Sequence, residues 1–213
     1  MACGLLLDLD GTLADSLAAL RAVYDDFLAS FGIAGSDEGF AALNGPPLAE
    51  VVARLRVRHG LPGTPAELLA LYRRLVDAAH GVAPPAAGAE ALLRQARAGG
   101  WRIAVVTSSP RAAALGWLAR QGLAPLVDAV VGGDEVAAGK PAPLPYRLGL
   151  ERLGCAAAQS LAVEDSRQGA TAATGAGIET LAIAAPGDRT GWPEGVRFIA
   201  RLAETAAFLQ PCP

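Results

Sequence analysis

Four short stretches of the chain carry side chains of types and spacings that could do chemistry. Asp8-Leu9-Asp10-Gly11-Thr12 sets two carboxylates two residues apart at the end of an apolar run. On a strand, side chains alternate with period two, so Asp8 and Asp10 are expected on the same side. Carboxylates that close repel one another and are costly to desolvate, and a divalent cation with oxygen ligands relieves both problems. Gly11 allows the chain to turn beside them. Val105-Val106-Thr107-Ser108-Ser109-Pro110 is a second apolar run, ending in three hydroxyls ahead of a helical pattern. A hydroxyl with free backbone N–H groups at a helix start can receive an anion, and an ordinary serine cap before a proline accounts for the same letters. Gly139-Lys140-Pro141-Ala142-Pro143 supplies an ammonium. It is not a P-loop, because five residues separate Gly133 from Gly139 and Pro141 stands where that motif needs Ser or Thr. Val163-Glu164-Asp165-Ser166 ends another apolar run with a second acidic pair, followed by Gly169. Carboxylates, a hydroxyl and one ammonium suit phosphoryl transfer, which needs charge neutralisation and alignment above all.

Of 18 basic residues, Lys140 is the single lysine. In a chain that uses arginine almost everywhere, a surviving lysine is a candidate for a role that needs a compact ammonium rather than a planar guanidinium. The alternative is chance survival on a solvated surface.

These stretches need strands and helices to bring them together. Short apolar runs at 4–9, 102–107, 126–131, 160–163 and 179–184 read as strands covered on both faces. Helical patterns at 87–99, 110–121, 144–154 and 167–176 alternate with them, the order that implies a parallel sheet. The rhythm breaks once, where only helical patterns (17–31, 48–58, 65–79) occur between Gly-Ser, Gly-Pro-Pro and Gly-Thr-Pro turns. The expected fold is α/β: a Rossmann-like, doubly wound parallel sheet (1–14 and 84–213) with an all-helical cap inserted at 15–83. Asp15-Ser16, good helix-capping residues, and 81–85 would be its hinges.

The chain has 213 residues, 52 % hydrophobic and 18 % charged, with a net charge of −3. That composition excludes a disordered chain and a membrane span, and no arginine stripe interleaved with aromatics marks a nucleic-acid binder. The start meets Asp8 too soon for a signal peptide. Three cysteines, Cys3, Cys155 and Cys212, are odd in number and lack metal-ligand spacing, which suits a reducing cytosol. A cytoplasmic protein is therefore expected.

The motifs in their order, Asp-Leu-Asp-Gly-Thr-Leu-x-Asp-Ser, Val-Val-Thr-Ser-Ser, Gly-Lys-Pro-Ala-Pro and Glu-Asp-Ser-x-x-Gly, resemble those of the haloacid dehalogenase superfamily. The likeness covers essentially the whole chain, and the helical insertion resembles the phosphoglycolate-phosphatase-like and β-phosphoglucomutase-like branch. The resemblance implies that Asp8 is the nucleophile, taking the phosphoryl group as an aspartyl phosphate, and that Asp10 is the general acid and base. It implies Mg²⁺ held by Asp8, the Asp10 carbonyl and Asp165, with Glu164 direct or through water. Thr107 and the Ser108 N–H would hold the phosphoryl group, Lys140 would bridge it to Asp8, and Leu9 would add a substrate contact. Asn44 and Gly45, in a helix-helix loop that could face the site, are further candidates for substrate contact, and a turn-forming Asn-Gly explains them equally well.

Departures within the superfamily narrow the reaction. The dehalogenases replace the second aspartate and need no metal, whereas Asp10 and the Glu164-Asp165 pair are present here. Phosphonate-cleaving relatives need a cap lysine, and this cap has none. Sugar-phosphate mutases hold a second phosphate with basic cap residues; here Leu48 stands near the expected arginine, although Arg54, Arg56 or Arg58 could compensate. The expectation is a Mg²⁺-dependent phosphatase acting on a small phosphorylated metabolite, with no nucleic-acid or membrane partner, as a monomer or weak homodimer. A β-phosphoglucomutase-type mutase and a non-catalytic phospho-ligand-binding relative are the alternatives. Tyr72 reads as a helix-face aromatic, His59 as a surface histidine, and the Arg54–Arg58 cluster as mostly a solvated face.

Overall fold

A computed structural model of the chain describes residues 2–43 and 46–212, with 80–82 as backbone only. Six strands, β1 (Gly4–Leu7), β2 (Arg102–Val106), β3 (Ala129–Val131), β4 (Ser160–Glu164), β5 (Glu179–Ile183) and β6 (Arg197–Ile199), form one sheet in the order β3-β2-β1-β4-β5-β6. Every pairing is parallel. Gly4 of β1 pairs with Arg102 on one side and Ser160 on the other, so the strand order reverses at β1, where open α/β sheets place their ligands.

The expected α/β class is therefore observed, and both sheet faces are covered. Leu5, Leu7, Ile103, Val105 and Trp117 belong to the core beneath α5 (Ala89–Ala98) and α6 (Arg111–Arg120). Leu6, Ala104 and Val106 alternate with them and pack towards α7 (Leu144–Leu153) and α8 (Arg167–Gly175), against Tyr146, Ala172 and Ala173. Burial on both faces explains why these strands read as continuous apolar runs.

Between β1 and α5 lie α1 (Leu17–Ala29), α2 (Asp37–Ala41), α3 (Leu48–His59) and α4 (Pro65–Val82). They pack on a core of their own that includes Tyr24, Phe27, Val52, Leu55 and Leu68. Helix α4 starts with a reciprocal cap, in which Thr64 Oγ1 accepts from Glu67 N while Glu67 Oε2 accepts from Thr64 N. Helix α2, five residues long, falls in a stretch without enough periodicity to announce it.

Several boundaries differ from expectation. β1 stops at Leu7 because the chain turns immediately afterwards, and the run expected at 126–131 keeps only three strand residues. Pro125, which can donate no ladder bond, opens a short 3-10 turn just before it. Helix α6 begins at Arg111, with Pro110 as its cap residue. The edge strand β6 was not expected; it has only three residues, and Arg197 at its start is exposed. The cysteines also need correction. Cys3 and Cys212 form a disulfide across 209 residues with a Cα–Cα distance of 5.8 Å, and Cys155 is free. The pairing removes the odd count as an argument for a reducing compartment. Among the described residues no helix is long and apolar enough to cross a membrane.

Candidate active site

The site grows from the loop that follows β1. Asp8 N donates to Val163 O at 3.0 Å, fixing Asp8 beside the end of β4. The Leu9 carbonyl accepts from the N–H groups of Thr12, Leu13 and Ala14 at 3.3, 3.0 and 2.8 Å, so the chain doubles back directly after Asp10. A turn, not strand alternation, thus places Asp10 beside Asp8. Gly11 has φ +84°, and a β-carbon there would lie 2.2 Å from Asp165 Oδ2. Glycine is required both for the turn and for the approach of Asp165. The Leu9 side chain is buried in the sheet core, so of this residue only the backbone is placed to meet a ligand.

Asp10 is held by two hydroxyls. Ser16 Oγ donates to Oδ1 at 2.8 Å and Ser109 Oγ to Oδ2 at 3.1 Å. Both serines looked like helix caps in the sequence, and neither caps a helix with its side chain. Their hydroxyls fix the carboxylate at the mouth of the loop. Thr107 is buried, and its Oγ1 accepts from Ser109 N at 3.0 Å, leaving its proton to be donated elsewhere.

Lys140 lies beneath this loop, 3 % exposed. Its Nζ is 2.5 Å from Asp8 Oδ1, 2.5 Å from Glu164 Oε1 and 3.0 Å from Val106 O. Burial alone would lower the pKa of this ammonium, but the charges of Asp8 and Glu164 and the bonds to both outweigh it and raise it. Burial pushes the Asp8 carboxyl well above the usual carboxylate range; Lys140 draws it down, while Glu164, Asp165 and Asp10 push it further up. Glu164, wholly buried, also accepts from Tyr146 Oη at 2.6 Å and from Ser166 Oγ at 3.1 Å. Burial, then the Glu164 charge, keeps the Tyr146 phenol protonated and donating. A β-carbon at Gly169 would lie 2.0 Å from the Glu164 carboxyl carbon, so that position makes room for the carboxylate. Tyr146 has no place among the residues singled out from the sequence, and the two serines appear there as caps, without their bonds to Asp10. A tyrosine in an amphipathic helix carries no signal beyond core packing.

Asp8, Glu164 and Asp165 offer ligand atoms within 4.8 Å of one another. With Asp10 they make four carboxylates facing one ammonium, an imbalance that a divalent cation would offset and that adds to the upward push of burial on Asp8. The donor set is all oxygen, which fits a hard cation such as Mg²⁺. These residues could therefore hold one.

Asp8, Asp10, Thr107, Ser108, Lys140 and Asp165 line a single cavity of about 90 Å³, room for a handful of waters. Its opposite wall comes from the helical insertion: Leu20, Phe40, Leu48, Val51, Tyr72 and Val76. Asn44 and Gly45 lie outside the described residues, while Leu43 and Pro46 on either side of them line the cavity. A β-carbon at Gly139 would come within 2.9 Å of Pro47, so this loop rests on the one that carries Lys140. Arg54, Arg56 and Arg58 are all exposed, as the solvated-face reading expects. Tyr72 is core, packed edge-on against Phe27 at 5.0 Å, and it lines the cavity as well. His59 is half-buried rather than fully at the surface.

A parallel α/β sheet with buried carboxylates and one ammonium gathered at its reversal point makes a site that suits phosphoryl transfer. The haloacid dehalogenase-like hydrolase family model matches residues 5–183, and the chain belongs to that family. Phosphoglycolate phosphatase of Rhodospirillum rubrum is 36 % identical over 185 residues, covering 83 % of this chain and 77 % of its own. Hexitol phosphatase A of Escherichia coli is 34 % identical, covering 87 % and 84 %. The crystal structure of CbbY from Rhodobacter sphaeroides in complex with phosphate superposes with a TM-score of 0.81 at 27 % identity, covering 96 % of each chain. These relatives place the chain with the phosphatases of the family, in the branch that holds the phosphoglycolate phosphatases.

Proposed function

We propose that this chain is a Mg²⁺-dependent phosphatase that hydrolyses a small phosphomonoester through an aspartyl phosphate on Asp8, in a core of 1–14 and 84–213 capped by 15–83. The observation that carries the reading is the contact of Lys140 Nζ with both Asp8 and Glu164 beside a hydroxyl-held Asp10. Asp8, fixed by Val163 and Lys140, presents a carboxylate oxygen that attacks phosphorus while the ester P–O bond breaks. Asp10, oriented by Ser16 and Ser109, gives its proton to the leaving alkoxide. In the second half Asp10 takes a proton from water, the water oxygen attacks phosphorus, and phosphate leaves with Asp8 restored. Lys140, the Thr107 hydroxyl and the Ser108 N–H neutralise and orient the phosphoryl oxygens. Asp8, Asp165 and the Asp10 carbonyl, with Glu164 direct or through water, would hold Mg²⁺, which supplies charge neutralisation at the phosphoryl group. Leu9, Asn44 and Gly45 remain proposed substrate contacts, Leu9 through its backbone.

The test is hydrolysis of phenyl phosphate with and without Mg²⁺. Asp8→Asn is expected to lose at least ~10⁴-fold in kcat with an unchanged circular dichroism spectrum. Activity persisting in that variant, once contaminating phosphatase is excluded, would overturn Asp8 as nucleophile.

A further inference from the structure

The cavity has two walls of opposite chemistry, and the helical wall restricts what can be attached to the phosphoryl group. On that wall Leu20, Phe40, Leu48, Val51 and Val76 offer only hydrocarbon, and Tyr72 adds one phenol. Burial holds that phenol's pKa up at about 12, so it stays neutral. Among the described residues no Arg, His, Asp or Glu of the helical insertion lines the cavity. The insertion has arginines, but they are turned elsewhere. Arg21 is engaged by Asp25 and Asp37, Arg54 by Glu50, and Arg56, Arg58, Arg73 and Arg74 are exposed. The only ammonium in the cavity is already bonded to Asp8 and Glu164.

A second anionic group on the substrate would therefore lie against hydrocarbon, with the cavity's ammonium, and the Mg²⁺ proposed above, already engaged by the carboxylates and the phosphoryl group. An unpaired charge buried that way is strongly disfavoured, and a polyol would meet, among the described residues of that wall, the Tyr72 hydroxyl alone. We propose that the substrate is a phosphomonoester of a compact, uncharged alcohol with mainly hydrocarbon surface, and that Phe40, Leu48, Val51 and Val76 select it. This rests on the phosphatase reading above. It separates the chain from the substrates named for its relatives, a phosphorylated carboxylic acid and a phosphorylated polyol.

The test compares n-propyl phosphate with 2-phosphoglycolate, two alkyl esters of similar length that differ in the charge at the far end, with glucitol 6-phosphate as the polyol. Phenyl phosphate serves as the control for turnover. Propyl phosphate is expected to exceed 2-phosphoglycolate in kcat/KM by at least ~10²-fold. Leu48→Arg, which places a cation on the wall at a half-buried helix start, should shift that ratio at least ~10-fold towards phosphoglycolate. Phe40→Ala should raise KM for propyl phosphate several-fold and leave inhibition by inorganic phosphate unchanged, a readout that does not depend on Leu48→Arg folding. Equal or faster hydrolysis of 2-phosphoglycolate or glucitol 6-phosphate, with phenyl phosphate turned over normally, would overturn the proposal and leave the phosphatase reading standing. No phosphate release from phenyl phosphate either would overturn both.

Discussion

On the sheet side of the cavity Asp8, Lys140 and Glu164 are ionisable, 6 %, 3 % and 0 % exposed, and both carboxylates are bonded to Lys140. On the helical side Val51 and Val76 are buried just as deeply, 4 % and 2 % exposed, and belong to the apolar core of the insertion. Equal burial thus serves opposite ends. A buried charge network is coupled, because removing one member leaves the others unpaired at high cost. An apolar wall loses packing when one side chain shrinks, and no charge is left unpaired by the change. On the proposed function, the reaction belongs to residues whose charges must all be kept, and the choice of substrate to residues that can change without unpairing a charge.

Substitutions in the coupled set should have the largest effects. Lys140→Arg is expected to keep the fold by circular dichroism and lose at least ~10²-fold in kcat, since a guanidinium cannot meet Asp8, Glu164 and Val106 O from one point. A near-wild-type rate would show that any cation serves there and dissolve the contrast between the walls. Gly169→Ala drives a β-carbon into the Glu164 carboxylate. It should cost about 1–3 kcal/mol in urea unfolding and roughly tenfold in activity through displaced Glu164. Tyr146→Phe removes one donor from Glu164 and should cost about 1.5–3 kcal/mol of stability, with a several-fold fall in kcat and little change in KM. A change in KM alone would place Tyr146 in substrate binding. The smallest effect is expected at the exposed face of α3, where Arg56→Ala and Arg58→Ala should each stay within ~0.5 kcal/mol and leave kcat/KM unaltered. A large loss at either would favour a cap cation reaching a second phosphate, as a mutase requires.

The residues of the candidate site were more legible than the fold's edges. Asp8, Thr107, Lys140 and Asp165 stand out because each follows an apolar run, where a charged or hydroxyl side chain at a strand end has few structural reasons to be. Ser16 and Ser109 misled, because a serine before a helix is ordinarily its cap, and only the folded chain aims both at Asp10. Strand β6 and helix α2 are too short for their periodicity to rise above composition. Asn44 and Gly45, read as a cap loop at the site, lie outside the described residues.

By itself the sequence determined the α/β class, the helical insertion and the order of the four motifs, because periodicity and turn residues are local properties that act over a few neighbours. Only the tertiary structure decided that Tyr146 bonds Glu164, that Cys3 meets Cys212, and that the insertion presents hydrocarbon rather than its arginines to Asp8. Those pairings join residues 18, 209 and several dozen positions apart. They depend on which helix face turns inward, and packing settles that for the whole molecule at once.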